Sequence, residues 1–295
     1  MDYSGIDFHA DDYGLFKTQS RRILKCQRDG VMTGISIFAN GCELEECLRM
    51  LPEEKPELAV HLNLMSGHCV APAKKLSLLV DENGVFNVRF TDLLLSPFTG
   101  RKQKYREQIR EEYRAQIKAL LPLFRESGQP LRVDGHAHWH VLPVAFDALM
   151  DLMREDEEID IRYIRLPYEP FGLYLQNFAG VFPFPPINIV KSVLLRILIR
   201  RDLLRWSREM KGIEKKVFLG VMFSGCFDIR RMRALIPGAL ELAGRKGQKL
   251  EILAHPGAVY EKEDLARVTS RDDRVFLSSR NRRKEAKSFL QMDCK

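Results

Sequence analysis

Histidines and aspartates cluster where strand-like runs of this sequence end. The chain has seven histidines; six lie at or beside such ends, and His68 lies in a loop just beyond one of them. The polar residues at these ends are Asp11, Asp12, His61, Asp134, His136, His138, His140 and His255. Catalytic groups of parallel α/β folds gather at the carboxyl ends of strands. A carboxylate and imidazoles from separate strands can converge on one cation and leave positions open for water and substrate, so the pattern predicts a metal site.

The spacing suggests how these residues divide the chemistry. If residues 136–140 are extended, His136, His138 and His140 point to one face, because side chains alternate along a strand. At least one of them can then bind the metal, and its neighbours can orient that ligand or contact substrate. Asp11 and Asp12 point in opposite directions if extended, so one can bind metal while the other handles a proton. The residues alone leave open which of them are the ligands.

The elements that must position these residues alternate along the chain. Seven strand-like runs are predicted, at 6–10, 31–39, 58–64, 131–134, 160–166, 216–223 and 249–254. Helices are predicted at 19–29, 43–51, 104–127, 143–154 and 229–243, the third of them with a clear apolar stripe. This alternation predicts an α/β fold with a mainly parallel sheet, without deciding whether that sheet is closed.

One stretch, about 167–212, interrupts the rhythm directly after a strand end and is interpreted as an inserted helical lid over the site. Within it, 191–208 has the pattern of a basic amphipathic helix, with Leu194, Leu195, Leu198 and Ile199 on one side. A docked lid helix with a solvated basic face is favoured over a helix that touches a membrane surface.

Composition excludes several classes of protein. With 295 residues and 45% hydrophobic residues the chain is globular, and we expect one domain over 1–295. The net charge of +7 is modest and does not demand nucleic acid. The sequence has no uninterrupted apolar stretch of about 20 residues, which is the length that would predict a membrane span. Residues 1–4 do not begin a signal peptide, and the six cysteines form no CxxC pair, so we expect a cytoplasmic protein with free thiols.

Together, five motifs in their order resemble the YdjC-like family, which includes chitooligosaccharide deacetylases. They are Ala10-Asp11-Asp12-Tyr13-Gly14, Val60-His61-Leu62-Asn63-Leu64, Asp134-Gly135-His136-Ala137-His138-Trp139-His140, Arg165-Leu166-Pro167 with Glu169, and His255-Pro256-Gly257. The resemblance also covers Gly30-Val31-Met32-Thr33 and Asn40-Gly41, and so runs from about residue 5 to residue 260. The sequence departs from the usual family pattern at His9, where Asn is usual, and at Gly135, where Ser is common.

The resemblance implies a distorted (β/α) barrel, similar to a TIM barrel, that carries one divalent metal ion at its carboxyl-end face. It implies Asp12, His61 and His136 as ligands, Asp11 as general base and His255 as general acid. The implied reaction is hydrolysis of an N-acetyl group on an acetylated amino sugar or chito-oligosaccharide, with Mg²⁺ or Zn²⁺ as the metal. Candidate substrate contacts are His138, His140, Arg165 and the aromatic residues Tyr13, Trp139 and Tyr168.

Other functions remain open from the residues alone. Strand-end acids with an HxH motif also suit another metal-dependent hydrolase, such as a phosphoesterase, and two histidines with one carboxylate can hold Fe(II). A different class is a basic binding protein with a vestigial site that uses 191–208 and 280–287. The clustering of histidines at strand ends argues against that class. A homodimer is also left open.

Overall fold

The protein, described here by a computed structural model over residues 3–292, contains a sheet of seven parallel strands. In chain order the strands are β1 (Ile6–Tyr13), β2 (Gly34–Ile37), β3 (Glu57–Leu62), β4 (Leu131–Gly135), β5 (Ile161–Ile164), β6 (Lys216–Leu219) and β7 (Lys249–Ala254). They lie side by side in the order β5-β4-β3-β2-β1-β7-β6. Every neighbouring pair is parallel, so all carboxyl ends share one edge, as predicted.

The sheet curls until its two edge strands approach each other. Tyr163 of β5 forms one isolated parallel bridge with Glu214, which lies just before β6. At that point the backbone N–H of Glu214 donates to the carbonyl oxygen of Arg162 over 2.9 Å. Within residues 3–292, β5 and β6 form no continuous ladder. The result is a distorted (β/α) barrel with an incomplete seam, which confirms the expected fold class.

Helices cover the outside of the sheet and both ends of the seam. They are α1 (Lys17–Arg28), α2 (Leu44–Arg49), α3 (Phe90–Leu95), α4 (Lys102–Ser127), α5 (Pro143–Glu155), α6 (Phe171–Gln176), α7 (Phe178–Val181), α8 (Pro186–Arg205), α9 (Ile229–Lys246), α10 (Lys262–Arg267), α11 (Arg271–Leu277) and α12 (Arg280–Gln291). The predicted apolar stripe of α4 is buried, including Ile109, Ile117 and Phe124. The sequence did not predict α3, α6, α7, α10, α11 or α12. The first five have one or two turns and are too short to show a period, and the start of α12 was interpreted only as a basic stretch.

Helix α8 follows α6 and α7 between β5 and β6, and its leucine face is buried as expected. Arg200 and Arg205 are exposed, as expected of a solvated basic face. Two other arginines differ: Arg196 donates to the carbonyl oxygen of Glu169, and Arg201 donates to the carboxylate of Asp147. The reason is that Asp147 is fully buried and needs a cation. Aliphatic side chains point outward instead, with Ile187 74% and Leu204 82% exposed.

Two sequence-based expectations fall partly outside the described residues. Cys26, Cys42, Cys47, Cys69 and Cys226 are free, whereas Cys294 lies beyond residue 292. Residues 1 and 2 of the N-terminal segment also lie outside. Among residues 3–292, no helix has the length and the apolar character that a membrane span requires.

The interior of the barrel is charged rather than purely apolar. Arg165, which directly follows β5, is fully buried and contacts Asp11, Asp134 and Glu251 through its guanidinium group. Nearer the amino end, Lys216 Nζ lies 2.7 Å from Asp7 and 2.6 Å from Glu57. Buried carboxylates are tolerable only when cations compensate them. The stability of the charged barrel interior therefore depends on Arg165 and Lys216.

We expect Arg165→Met to lower the free energy of unfolding by about 3–5 kcal/mol, because it leaves Asp11, Asp134 and Glu251 buried without their cation. The matched control is Arg162→Met in β5, three residues earlier, whose exposed side chain pairs with Asp160. This control should change little. Urea unfolding of both variants measures the difference. Equal stabilities for the two variants would contradict the role of Arg165.

Candidate metal centre

An irregularity at the end of β1 aims the carboxylate of Asp12 into the barrel mouth. The pairing of β1 with β2 shifts register between Ala10 and Tyr13. Asp12 has a φ of 70°, in the left-handed region that residues other than glycine rarely occupy. Such a bulge re-aims a side chain, and backbone strain of this kind concentrates at functional sites. The simple alternation expected for Asp11 and Asp12 therefore does not hold here.

Three side chains from three strand ends bring their ligand atoms together. Asp12 Oδ1 lies 3.1 Å from His136 Nδ1 and 3.4 Å from His61 Nε2. The two imidazole nitrogens are 3.3 Å apart. Atoms that each lie about 2.0–2.2 Å from one ion are about 3.0–3.5 Å apart in tetrahedral or octahedral geometry. The triad is buried, and its spacing and its donor atoms fit a divalent metal ion.

Each member of the triad has a buried partner on its other side. Asp134 Oδ1 lies 2.5 Å from His61 Nδ1, and Asp273 Oδ1 lies 3.1 Å from His136 Nε2. Arg282 contacts the second carboxylate oxygen of Asp12. With these partners in place, the other polar atom of each side chain (Asp12 Oδ1, His61 Nε2 and His136 Nδ1) faces the centre of the triad. Such partners orient ligands in metal sites.

The charges around the triad favour protonated histidines in the metal-free protein. Burial by itself would lower the pKa of His61, but Asp11, Asp134 and a hydrogen bond to Asp12 raise it to about 9. Burial likewise opposes the charged form of His136, whereas Asp273 and Asp12 raise its pKa to about 10. The surrounding carboxylates therefore favour positive charge at the triad, either as protons on His61 and His136 or as a bound metal ion.

A cavity of about 310 Å³ opens beside the triad and contains the two residues expected to transfer protons. Asp11, His61, His136 and His255 all line it. Nη1 of Arg165 lies 2.8 and 2.9 Å from the two oxygens of Asp11. Arg165 itself, expected to contact substrate, is completely buried and is not part of the cavity wall.

The segment 136–140 is not extended, so the expectation that its three histidines share one face is wrong. Ala137 and His138 have φ values of 50° and 66°, which turn the chain within a short 3-10 segment. His138 points into the cavity with its Nδ1 unpartnered, and burial together with the charge of Lys191 lowers its pKa, so it is neutral. His140 instead donates from Nε2 to the carbonyl oxygen of Arg165 over 2.8 Å.

Gly135 allows His140 to take this separate direction. A Cβ atom at Gly135 would lie only 2.7 Å from His140 Nδ1. Any side chain at residue 135 would force the His140 ring to move. The glycine at residue 135, where Ser is common in the family that the sequence resembles, thus permits this position of the His140 ring.

The aromatic residues considered as sugar platforms lie elsewhere. Tyr13 is fully buried and donates to the carbonyl oxygen of Cys47 over 2.6 Å. Trp139 packs edge-on against Phe90, and Tyr168 lies under the guanidinium of Arg196. None of Tyr13, Trp139 and Tyr168 is among the described residues that line the cavity.

Sequence reasoning missed residues that reach the site from helices. Asn188 and Lys191 of α8 line the cavity, and Asp273 and Arg282 come from α11 and α12. Single charged residues in helices carry no motif, and Arg282 lies inside a basic run that has the composition of a surface. Of the segment 167–212, in which the sequence predicts a lid, Asn188 and Lys191 of α8 are the residues that line the cavity.

The same chain has clear relatives among known proteins. A family described as YdjC-like protein matches residues 6–295. The carbohydrate deacetylase of Danio rerio is 28% identical over 171 residues, 57% of this chain and 51% of that protein. The chitooligosaccharide deacetylase of Proteus mirabilis is 28% identical over 171 residues, 57% of this chain and 62% of that protein.

Similar coverage recurs in other relatives. The carbohydrate deacetylase of Homo sapiens is 27% identical over 163 residues, 54% of this chain and 47% of that protein. The chain thus spans about half the length of the first curated relatives it matches. A solved protein of Enterococcus faecalis, named for cellobiose-phosphate cleavage, superposes with a TM-score of 0.62 at 15% identity, over 98% of this chain and 91% of that one. At that identity the likeness supports the fold alone.

We expect a divalent metal ion to displace protons when it binds to this triad. With pKa values of about 9 and 10, His61 and His136 are protonated at neutral pH in the metal-free protein, but ligands must be neutral imidazoles. Affinity should therefore rise with pH up to that range and fall on acidification. Titration calorimetry with Zn²⁺ at about pH 7, in two buffers of different protonation enthalpy, measures the protons released. Identical heats in both buffers would contradict the prediction.

Proposed function

This chain belongs to the YdjC-like protein family, and on that premise we propose that it is a metal-dependent deacetylase that hydrolyses N-acetyl groups of acetylated amino sugars or chito-oligosaccharides. The observation that carries the proposal is the triad of Asp12, His61 and His136 beside a cavity lined by Asp11 and His255. Relatives named carbohydrate deacetylase and chitooligosaccharide deacetylase support the same reaction.

Asp12, His61 and His136 would hold one divalent ion through Oδ1, Nε2 and Nδ1. The chemistry that such an ion would supply there is polarisation of the amide carbonyl and activation of a water molecule near neutral pH. The mixed oxygen and nitrogen donors suit Zn²⁺, and the open side toward the cavity also admits the water ligands that Mg²⁺ retains.

Asp11 is the general base in this proposal. It lines the cavity next to His61, and Arg165 contacts both of its oxygens from the barrel interior. Arg165 thereby fixes the direction of the carboxylate while remaining out of contact with substrate. The carboxylate of Asp11 accepts the proton of the attacking water.

His255 is the general acid. Its backbone N–H donates to Glu285 Oε2 over 2.7 Å, and its ring Nδ1 lies 3.4 Å from the same oxygen. The ring packs edge-on against Phe276 within the cavity wall. Glu285 thus restrains the backbone of His255 and lies close to its imidazole, which in this proposal donates a proton to the leaving amine.

The opposite side of the cavity would bind the sugar. His138 offers a neutral imidazole with an unpartnered Nδ1, and α8 contributes Asn188 and the ammonium group of Lys191. Donors and acceptors of this kind match hydroxyl and amide groups of an amino sugar. The segment that carries α8 therefore acts as the lid expected over 167–212.

Lys191 favours a second candidate function, hydrolysis of a phosphate ester. Burial lowers the pKa of Lys191, with Glu169 and Asp11 the carboxylates that oppose this shift. Within residues 3–292 no carboxylate is within ion-pair distance of its ammonium group. An anionic substrate would supply the missing charge, which is why sugar phosphates belong in the same assay.

The deciding experiment measures acetate released from N-acetylated chito-oligosaccharides by the full chain. We expect release with Zn²⁺ or Mg²⁺, loss after treatment with a chelator, and recovery when metal is restored. The His61→Ala variant is the matched negative control. Phosphate release from sugar phosphates without acetate release would favour the second function, and activity that survives metal removal would overturn the metal-dependent mechanism.

Two neighbouring substitutions separate the base from the ligand. Asp11→Asn should bind metal normally but lower kcat on the order of 10²–10⁴-fold, because Asn cannot accept the proton. Arg165 keeps Asp134 and Glu251 in this variant, so the fold should persist. Asp12→Asn should instead weaken metal binding, and excess metal should partly restore acetate release. A wild-type rate for Asp11→Asn would show that another group is the base.

A further inference from the structure

We propose that Asp273 is a positioning residue that holds the proton of His136 on Nε2 and so makes Nδ1 the metal-binding nitrogen. The inference rests on the metal centre of the proposed function. It assigns a role to a residue that lies in α11, outside every motif of the sequence. It also predicts that the two histidine ligands use different ring nitrogens.

The geometry distinguishes the two nitrogens of His136. Nδ1 faces Asp12 Oδ1 at 3.1 Å and His61 Nε2 at 3.3 Å, and so belongs to the triad. Nε2 lies on the other side of the ring and faces Asp273 Oδ1 at 3.1 Å. An ionised carboxylate can accept hydrogen bonds but cannot donate them. Nε2 must therefore carry the proton in this contact. Nδ1 is left as the atom free for a metal ion.

His61 is arranged in the opposite sense. Its Nδ1 faces Asp134 at 2.5 Å, so the proton lies on Nδ1 and Nε2 points into the triad. Metal-binding histidines commonly donate their other N–H to a carboxylate, which fixes the tautomer and the orientation of the ring. Asp134 and Asp273 are therefore equivalent partners of two ligands, although one belongs to the strand β4 and the other to a short helix near the end of the chain.

Asp273 is itself held in place. It is 4% exposed, and its backbone N–H donates to the side chain of Ser270, which caps α11. Its side chain also accepts a hydrogen bond from Ser66. The carboxylate is thus buried and held beside the His136 ring, as an acceptor for the N–H of that ring must be.

Asp273 is distinct from the ligands themselves. The group of ligand atoms that lie close enough to share one ion contains Asp12, His61 and His136 but not Asp273. Because Asp273 approaches the ring from the side opposite Asp12, it acts on the metal only through His136.

The test uses the full chain loaded with Zn²⁺ and labelled with ¹⁵N in histidine. Long-range proton–nitrogen NMR spectra report which ring nitrogen carries the proton and which binds the ion. We expect His136 to be protonated on Nε2 and bound through Nδ1, with His61 the reverse. Asp273→Leu, which removes the acceptor, should weaken Zn²⁺ binding about 10–100-fold, the usual effect of losing such a partner.

Two further variants keep the test decisive if Asp273→Leu folds poorly. Asp273→Asn retains an acceptor oxygen, so it should keep the His136 tautomer and lose less affinity than Asp273→Leu. Glu263→Gln, at an exposed acid of helix α10 that does not line the cavity, should change neither property. Binding of Zn²⁺ through Nε2 of His136, or wild-type affinity in both Asp273 variants, would overturn the inference.

Failure of the metal centre itself would look different. If His61→Ala and His136→Ala bound Zn²⁺ as tightly as the wild type, the centre and this inference would both be wrong. If those variants lost Zn²⁺ but the Asp273 variants did not, only the role of Asp273 would be overturned.

Discussion

Compensation of buried negative charge is the constraint on which this barrel depends. Three cations stand at successive levels of the interior: Lys216 beside Asp7 and Glu57, Arg165 among Asp11, Asp134 and Glu251, and Arg282 beside Asp12. A buried carboxylate without a neighbouring cation would take up a proton or destabilise the fold around it. The carboxylates at the mouth can therefore remain ionised, which is the state that proton transfer and metal binding require.

The same compensation also orients the carboxylates at the mouth of the barrel. Arg165 contacts Asp11, which lines the cavity, and Arg282 contacts one oxygen of Asp12 and leaves the other toward the two histidines of the triad. Asp134 links the two systems, because one oxygen contacts Arg165 and the other contacts His61. A change in the charge of the interior would thus reach the geometry of the triad through Asp134. Stability and chemistry share the same side chains in this protein.

The sequence predicted the class of fold and a group of polar residues at the strand ends, because both are local patterns. Which of these residues are the ligands, Asp12, His61 and His136, was implied only by the resemblance to a family. Strand-like runs with polar ends identify parallel strands and the edge where their residues meet. The sequence could not show that residues 136–140 turn through left-handed conformations, since Ala137 and His138 are not residues that favour them. Nor could it show Lys191, Asp273 or Arg282 at the site, because these contacts join distant parts of the chain and depend on tertiary packing alone.

The contact between Asp12 and Arg282 joins residues 270 positions apart. During synthesis, Asp12 therefore leaves the ribosome on the order of tens of seconds before its partner, at usual elongation rates. Asp273 also emerges 137 residues after His136, so a nascent chain contains every ligand long before two of the three groups that orient them. The candidate metal centre therefore takes its final shape only after α11 and α12 have been synthesised and have packed against the mouth of the barrel.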